Sequence, residues 1–127
     1  MALVSKIHHV AMRADAGDQF DSVVKFYTET LGLPLERSWA GGAMIRVGES
    51  LLEIFNNGGN IPEKGTLQHI ALATDDIDAC IKAVVDAGCE HLNGPRNVTI
   101  ASEPPFPIRC AFCRGPLGEE IEFFTEM

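Results

Sequence analysis

Two stretches of the chain carry the same order of apolar and polar positions. His9-Val10-Ala11-Met12-Arg13-Ala14-Asp15 stands near the N-terminus, and His69-Ile70-Ala71-Leu72-Ala73-Thr74-Asp75 repeats its form 60 residues later. In each, a histidine opens an apolar run and an aspartate closes it. Lys6 to Ala14 reads as a strand, with His9, Ala11 and Arg13 on one face and Val10 and Met12 on the other. Turn and cap residues follow from Asp15 to Asp18. Phe20, Val23, Val24, Tyr27 and Leu31 then recur at helical spacing, and Gly32 with Pro34 ends that helix. Three short apolar runs come next, Leu35 to Trp39, Ala43 to Val47 and Leu51 to Phe55. The breaks between them, Gly41-Gly42 and Gly48-Glu49-Ser50, read as hairpins, so the first half is βαβββ.

Asn57-Gly58-Gly59-Asn60-Ile61-Pro62 is polar and turn-rich and reads as a linker. The second half runs in the same order. His69 to Thr74 is a strand, and a helix capped near Asp75 or Asp76 buries Ile77, Cys80, Ile81 and Val84 and stops at Gly88. Strand-like runs lie at Glu90 to Leu92, Pro107 to Phe112 and Glu119 to Phe124. Asn97 to Pro107, with three prolines and no period, is expected to be a loop beside the sheet edge. The pattern predicts an α+β chain, a single domain over 1–127 built of two βαβββ modules at about 5–57 and 67–127.

Composition narrows the partners. The chain has 127 residues, of which 46% are hydrophobic, enough for a real core. With a net charge of −8 and 10 Lys and Arg residues, it lacks the basic surface that nucleic acids or anionic membranes require. No run approaches the ~18 apolar residues of a spanning helix, and no basic segment followed by an apolar block opens the chain. The expectation is a cytoplasmic protein with a small-molecule substrate. Cys80, Cys89, Cys110 and Cys113 do not form a zinc knuckle. Cys110 and Cys113 sit three apart in a strand, pointing to opposite faces, so reduced and mostly buried thiols are expected.

The last strands of the two halves also match, Leu51-Leu52-Glu53-Ile54-Phe55 against Glu120-Ile121-Glu122-Phe123-Phe124. A carboxylate sits mid-strand in both. His9, Glu53, His69 and Glu122 therefore form a two-His, two-Glu set, one residue from the first and one from the last strand of each half. Burying a lone carboxylate costs several kcal/mol unless it is paired or metal-bound. Imidazole with carboxylate suits Zn, Ni, Co, Fe or Mn. The plainer alternative is a sheet open on one face, with all four residues half-solvated. His8 falls on the opposite strand face from His9 and reads as a packed histidine, and His91 as a surface one. Arg13 shares a face with His9, and Asn57 with Glu53, so both are candidates for holding a substrate carboxylate or amide. For these two the alternatives are a salt bridge and a turn asparagine. Trp39 and Phe106 are candidates for an apolar pocket or for core.

With these residues in place the chain resembles the vicinal oxygen chelate superfamily, the glyoxalase/bleomycin-resistance/dioxygenase group. The resemblance rests on the His9-Val10-Ala11-Met12 and His69-Ile70-Ala71-Leu72 openings and on Phe26-Tyr27-Thr28-Glu29-Thr30-Leu31-Gly32-Leu33. Leu52-Glu53-Ile54 and the Gly118-to-Phe123 close complete it. It implies a cupped, partly closed mixed sheet with helices outside and with His9, Glu53, His69 and Glu122 around one divalent metal. The His, Glu, His, Glu pattern is similar to that of glyoxalase I-like (lactoylglutathione lyase-like) proteins. That similarity implies a homodimer, with Arg13 and Asn57 as glutathione contacts and glutathione as a candidate co-substrate. The chemistry implied is a proton shift through an enediolate, with Glu122 or Glu53 as base. Two features depart from glyoxalase I. Ser38 to Ser50 is shorter, and Ser102 to Ile108 lacks a Lys-Gly-Gly type loop, which bears on glutathione recognition. The other readings are an epimerase of the same superfamily and a metal-free binding or sequestration protein of the bleomycin-resistance type. Methylmalonyl-CoA epimerase would call for Gln at Glu53.

Overall fold

The structure, a computed structural model, describes residues 2–58, 65–115 and 119–127. Part of the expected linker, Gly59 to Pro62, and Gly118 of the closing motif lie outside the described residues. The elements are β1 (Lys6–Arg13), α1 (Asp18–Lys25), β2 (Leu35–Trp39), β3 (Gly42–Val47), β4 (Ser50–Phe55), β5 (Leu67–Ala73), α2 (Ile77–Asp86), β6 (Glu90–Ile100), β7 (Phe106–Arg114) and β8 (Glu120–Glu126). Strand, helix and three strands thus follow one another twice. Among the described residues no helix is long and apolar enough to cross a membrane.

All eight strands join one mixed sheet in the order β2-β3-β4-β1-β5-β8-β7-β6, curled into a half barrel. The first strands of the two halves, β1 and β5, are antiparallel neighbours at its centre. Each is flanked by the last strand of its own half, in parallel: β4 beside β1 and β8 beside β5. The four central strands are those that carry the two-His, two-Glu set.

Strand alternation splits the interior in two. On the outer face Ile45 and Ile54 pack with Phe20, Val23 and Tyr27 of the first helical segment. Ala111, Cys113 and Phe123 pack with Ile77 and Cys80 of α2. On the inner face Met44, Leu51, Ala71, Ile108, Cys110 and Phe124 form a third cluster. Cys110 and Cys113 thus point to opposite faces, as expected, and all four thiols are free.

Three sequence expectations are corrected. The first concerns the loop after residue 97. β6 runs unbroken to Ile100, and Asn97, Val98, Thr99 and Ile100 pair with Arg109, Ile108, Pro107 and Phe106. Being the last strand of the sheet, β6 tolerates Pro95 because one of its sides needs no ladder donors. Its register shifts between His91 and Arg96 absorb the irregularity. The second concerns the first helix. Regular α-helix ends at Lys25, and Phe26–Thr30 continues as a π-helical turn in which Leu31 N–H donates to the Phe26 carbonyl. Gly32, at φ +72°, then reverses the chain. The third concerns His8 and is described with the site. α2 starts as the sequence indicated: Asp76 Oδ1 accepts from Ala79 N–H at 3.0 Å.

Candidate metal centre

Why four polar side chains meet inside an apolar sheet follows from register. Ala11 of β1 pairs with Glu53 in β4 and with His69 in β5, and Ala71 of β5 pairs with His9 and with Glu122 in β8. A small alanine at both crossing points leaves room for the larger side chains beside it. His9, Glu53, His69 and Glu122 are 1%, 4%, 6% and 6% exposed, so the open-face alternative, in which all four are solvated, does not hold.

The atoms converge on one point. His9 Nε2 lies 3.2 Å from His69 Nε2, 3.2 Å from Glu53 Oε1 and 3.1 Å from Glu122 Oε1. His69 Nε2 lies 2.9 Å from Glu122 Oε1 and 3.8 Å from Glu53 Oε1. Donor atoms of His9, Glu53 and His69 all fall within 4.8 Å of one another. A divalent cation with bonds of about 2.1 Å at right angles spaces neighbouring ligand atoms about 3.0 Å apart, close to the spacings from His9 to Glu53, His69 and Glu122, whereas Glu122 falls outside the group whose donor atoms all lie within 4.8 Å of one another. Two buried carboxylates also bring the negative charge that a divalent cation neutralises.

The two carboxylates also favour a proton on His9. Burial alone would lower the His9 imidazole, but hydrogen bonding to Glu122 and Glu53, with their charges, outweighs it and holds His9 up at about 9. Burial alone would raise Glu122, and hydrogen bonds from His69 and His9 bring it down to about 2. His69 Nδ1 is buried and finds no partner among the described residues.

A cavity of about 240 Å³ opens on the set. Glu53, His69 and Glu122 are part of its wall, together with Trp39, Phe55, Val98, Ile108, Phe112 and Phe124, and Gln68 and Arg96 supply the remaining polar groups. Trp39 is thus pocket, whereas Phe106 is buried core, with the Arg37 guanidinium 3.7 Å over its ring. Two larger cavities, of about 340 and 450 Å³, lack the His-Glu set. Arg13 lines the first of these, beside α1, and its Nε is buried without a hydrogen-bond partner. Asn57 is exposed beyond the end of β4. Neither residue is part of the wall around the four ligand-type groups. Sequence reasoning missed Gln68, Arg96 and Phe112, because no local pattern marks a cavity wall that distant strands of a curled sheet assemble.

His8 departs from expectation. It is buried, but its ring lies beside His9 rather than across the strand, with the two Nδ1 atoms 2.8 Å apart. Burial lowers its imidazole, against the raising effect of a hydrogen bond to Glu126. His91 is exposed, as expected.

Residues 6–123 match the family model described as the Glyoxalase/Bleomycin resistance protein/Dioxygenase superfamily. The chain belongs to that superfamily. None of the curated proteins matches it. Among solved structures the chain is similar to a Streptomyces coelicolor methylmalonyl-CoA epimerase variant in complex with 2-nitronate-propionyl-CoA. Identity is 22% and the TM-score 0.72, over 96% of this chain and 97% of that one. It is also similar to the Mn(II)-bound glyoxalase from Novosphingobium aromaticivorans, at 20% identity and a TM-score of 0.71, over 98% of this chain and 40% of that one. A third likeness is to a 4-hydroxymandelate synthase mutant from Streptomyces coelicolor, at 18% identity and a TM-score of 0.68, over 98% and 49%. At these identities the likeness establishes the α+β fold. Superfamily membership and the His-Glu set agree with a divalent metal site and a small-molecule ligand.

Proposed function

We propose that this chain is a metal-dependent lyase or isomerase of the glyoxalase type, working as one unit of two modules on a small oxygenated substrate in the cytoplasm. The observation that supports this reading is the meeting of buried His9, Glu53 and His69 donor atoms within 4.8 Å of one another, with Glu122 Oε1 3.1 Å from His9 Nε2 and 2.9 Å from His69 Nε2. His9, Glu53, His69 and Glu122 hold the ion, one of Ni, Zn, Co, Fe or Mn. When bound, it supplies Lewis acidity to two neighbouring substrate oxygens and makes the adjoining C–H acidic.

The protein's own groups do the rest. Glu53 or Glu122 takes the proton from one carbon and returns it to its neighbour, as a base held within reach of both. Trp39, Phe55 and Phe112 exclude water from the reacting carbons. Arg13 and Asn57 enter this reading as contacts for the distal part of a larger substrate such as a glutathione hemithioacetal. A homodimer is part of this reading.

The test is elemental analysis after loading with each metal, followed by assay with methylglyoxal and glutathione for thioester formation. We expect close to one ion per chain, turnover with at least one metal, and loss of turnover with metal retained in Glu53→Gln or Glu122→Gln. Fewer than about 0.2 ions per chain after re-addition overturns the enzyme reading in favour of a metal-free binding protein. Metal binding without glyoxalase turnover, but with deuterium exchange next to the thioester of an acyl-CoA, replaces the lyase by an epimerase.

A further inference from the structure

The bulge that brings His8 beside His9 has a chemical use. Ile7 pairs with Leu72 and His9 with Ala71, so His8 is the extra residue between two consecutive partners. A bulge of this kind re-aims a side chain, and such bulges gather near active sites. The His8 ring sits 5.0 Å from the His9 ring, centroid to centroid, and its far nitrogen, Nε2, lies 2.7 Å from Glu126 Oε2.

We propose that His8, oriented by Glu126, is a positioning residue that fixes a proton on His9 Nδ1 and thereby presents the His9 Nε2 lone pair to a cation between Glu53, His69 and Glu122. The inference rests on the metal-binding reading above.

The argument is one of donors and acceptors. An ionised carboxylate only accepts, so His8 Nε2 carries the hydrogen and donates it to Glu126. His8 is buried with its ring centroid 4.2 Å from that of Phe124, a setting that disfavours a charged imidazolium. A neutral His8 with its proton on Nε2 has a bare Nδ1. His9 Nδ1, 2.8 Å away, is then the donor of that hydrogen bond. A neutral His9 with its hydrogen on Nδ1 has a free lone pair on Nε2, the atom that faces the other three ligand-type residues. The order carboxylate, imidazole, ligand imidazole is an extended form of the carboxylate–histidine–metal arrangement that fixes tautomers in metal sites. Glu126, half exposed, anchors the outer end at a cavity that it lines together with His8.

Two variants separate this role from simple packing. His8→Phe keeps a ring against Phe124 but removes the acceptor, and zinc and cobalt affinity should fall by about 10- to 100-fold. His8→Asn sets an amide oxygen where Nδ1 stood and should restore affinity to near the unsubstituted level, with urea midpoints confirming that both variants fold. Equal affinity of His8→Phe and the unsubstituted protein overturns the proposal. So does an equal loss in the two variants, which marks a purely structural role. The second readout is the ring ¹⁵N spectrum of the metal-free protein. A hydrogen on His8 Nε2 with a bare Nδ1 supports the proposal, and a hydrogen on His8 Nδ1 overturns it. If the unsubstituted protein binds no metal, the functional reading fails by itself, and the ¹⁵N spectrum still decides the His8 arrangement.

Discussion

The proton on His9 and a cation at the same nitrogen exclude one another, which predicts opposite pH responses of the metal-free and metal-loaded protein. His9 is held at about 9 against 6.5 for a free imidazole. A group raised on folding contributes stability that is complete below its unfolded value, here 6.5, and lost as pH rises through about 9. A shift of about 2.5 units corresponds to about 3 kcal/mol, of which about 2 kcal/mol disappears between about pH 6.5 and about pH 8.5. Urea unfolding in the presence of a chelator measures this loss. Over the same window cation affinity should rise about tenfold per pH unit, because each unit removes a tenfold competition from the His9 proton. Competition against a pH-independent chromophoric chelator measures the rise. Flat responses in both experiments would refute the placement of the His9 proton between Glu53 and Glu122. A falling stability with flat affinity would keep the proton but remove His9 from the ligand set.

Other expectations are shorter. Glu122→Gln takes the shared acceptor from His9 and His69, so metal-free stability at neutral pH should drop by about 3 kcal/mol, read from denaturant midpoints. Glu122 itself is lowered from 4.5 to about 2, so its contribution is present above about pH 4.5 and fades as pH falls toward about 2, which acid titration of the fluorescence of the single Trp39 would follow. Asp76→Ala removes the α2 cap and should cost about 1 kcal/mol in thermal or urea unfolding. Gly94→Ala should destabilise by about 1–3 kcal/mol, because Gly94 has φ +81° and an added Cβ would stand 2.6 Å from the Cys110 carbonyl oxygen.

What the sequence disclosed depended on whether the signal was local. β2 is legible to the residue because Pro34 and the glycine pair bracket it, and the start of α2 to within one residue, because Asp75 and Asp76 both suit a cap. Glu53 and Glu122 stand out because each interrupts an apolar strand, and His9 and His69 because each opens one. The unread parts are products of pairing. A strand through Gly94-Pro95 exists only because β6 has a neighbour on one side alone. The His8 bulge needs β5 to be seen, since alternation along β1 by itself sends His8 away from His9. Arg96 and Gln68 become cavity residues through the curl of the sheet, which no run of residues encodes.

The repeat also explains why neither half makes a site alone. Within the first half, β1 and β4 bring His9 beside Glu53, one imidazole and one carboxylate. β5 and β8 do the same with His69 and Glu122. A pair of this kind is a buried salt bridge, whose desolvation penalty offsets most of its attraction. Antiparallel pairing of β1 with β5 sets the two pairs face to face, and only then do the four side chains come together. The alanines at the crossing points, Ala11 and Ala71, are fully buried and pair with His69 and His9 respectively. Any larger side chain there would push the imidazoles apart. The small residues that sit between the histidines are therefore as much a condition of the site as the histidines themselves, although they offer it no ligand atom.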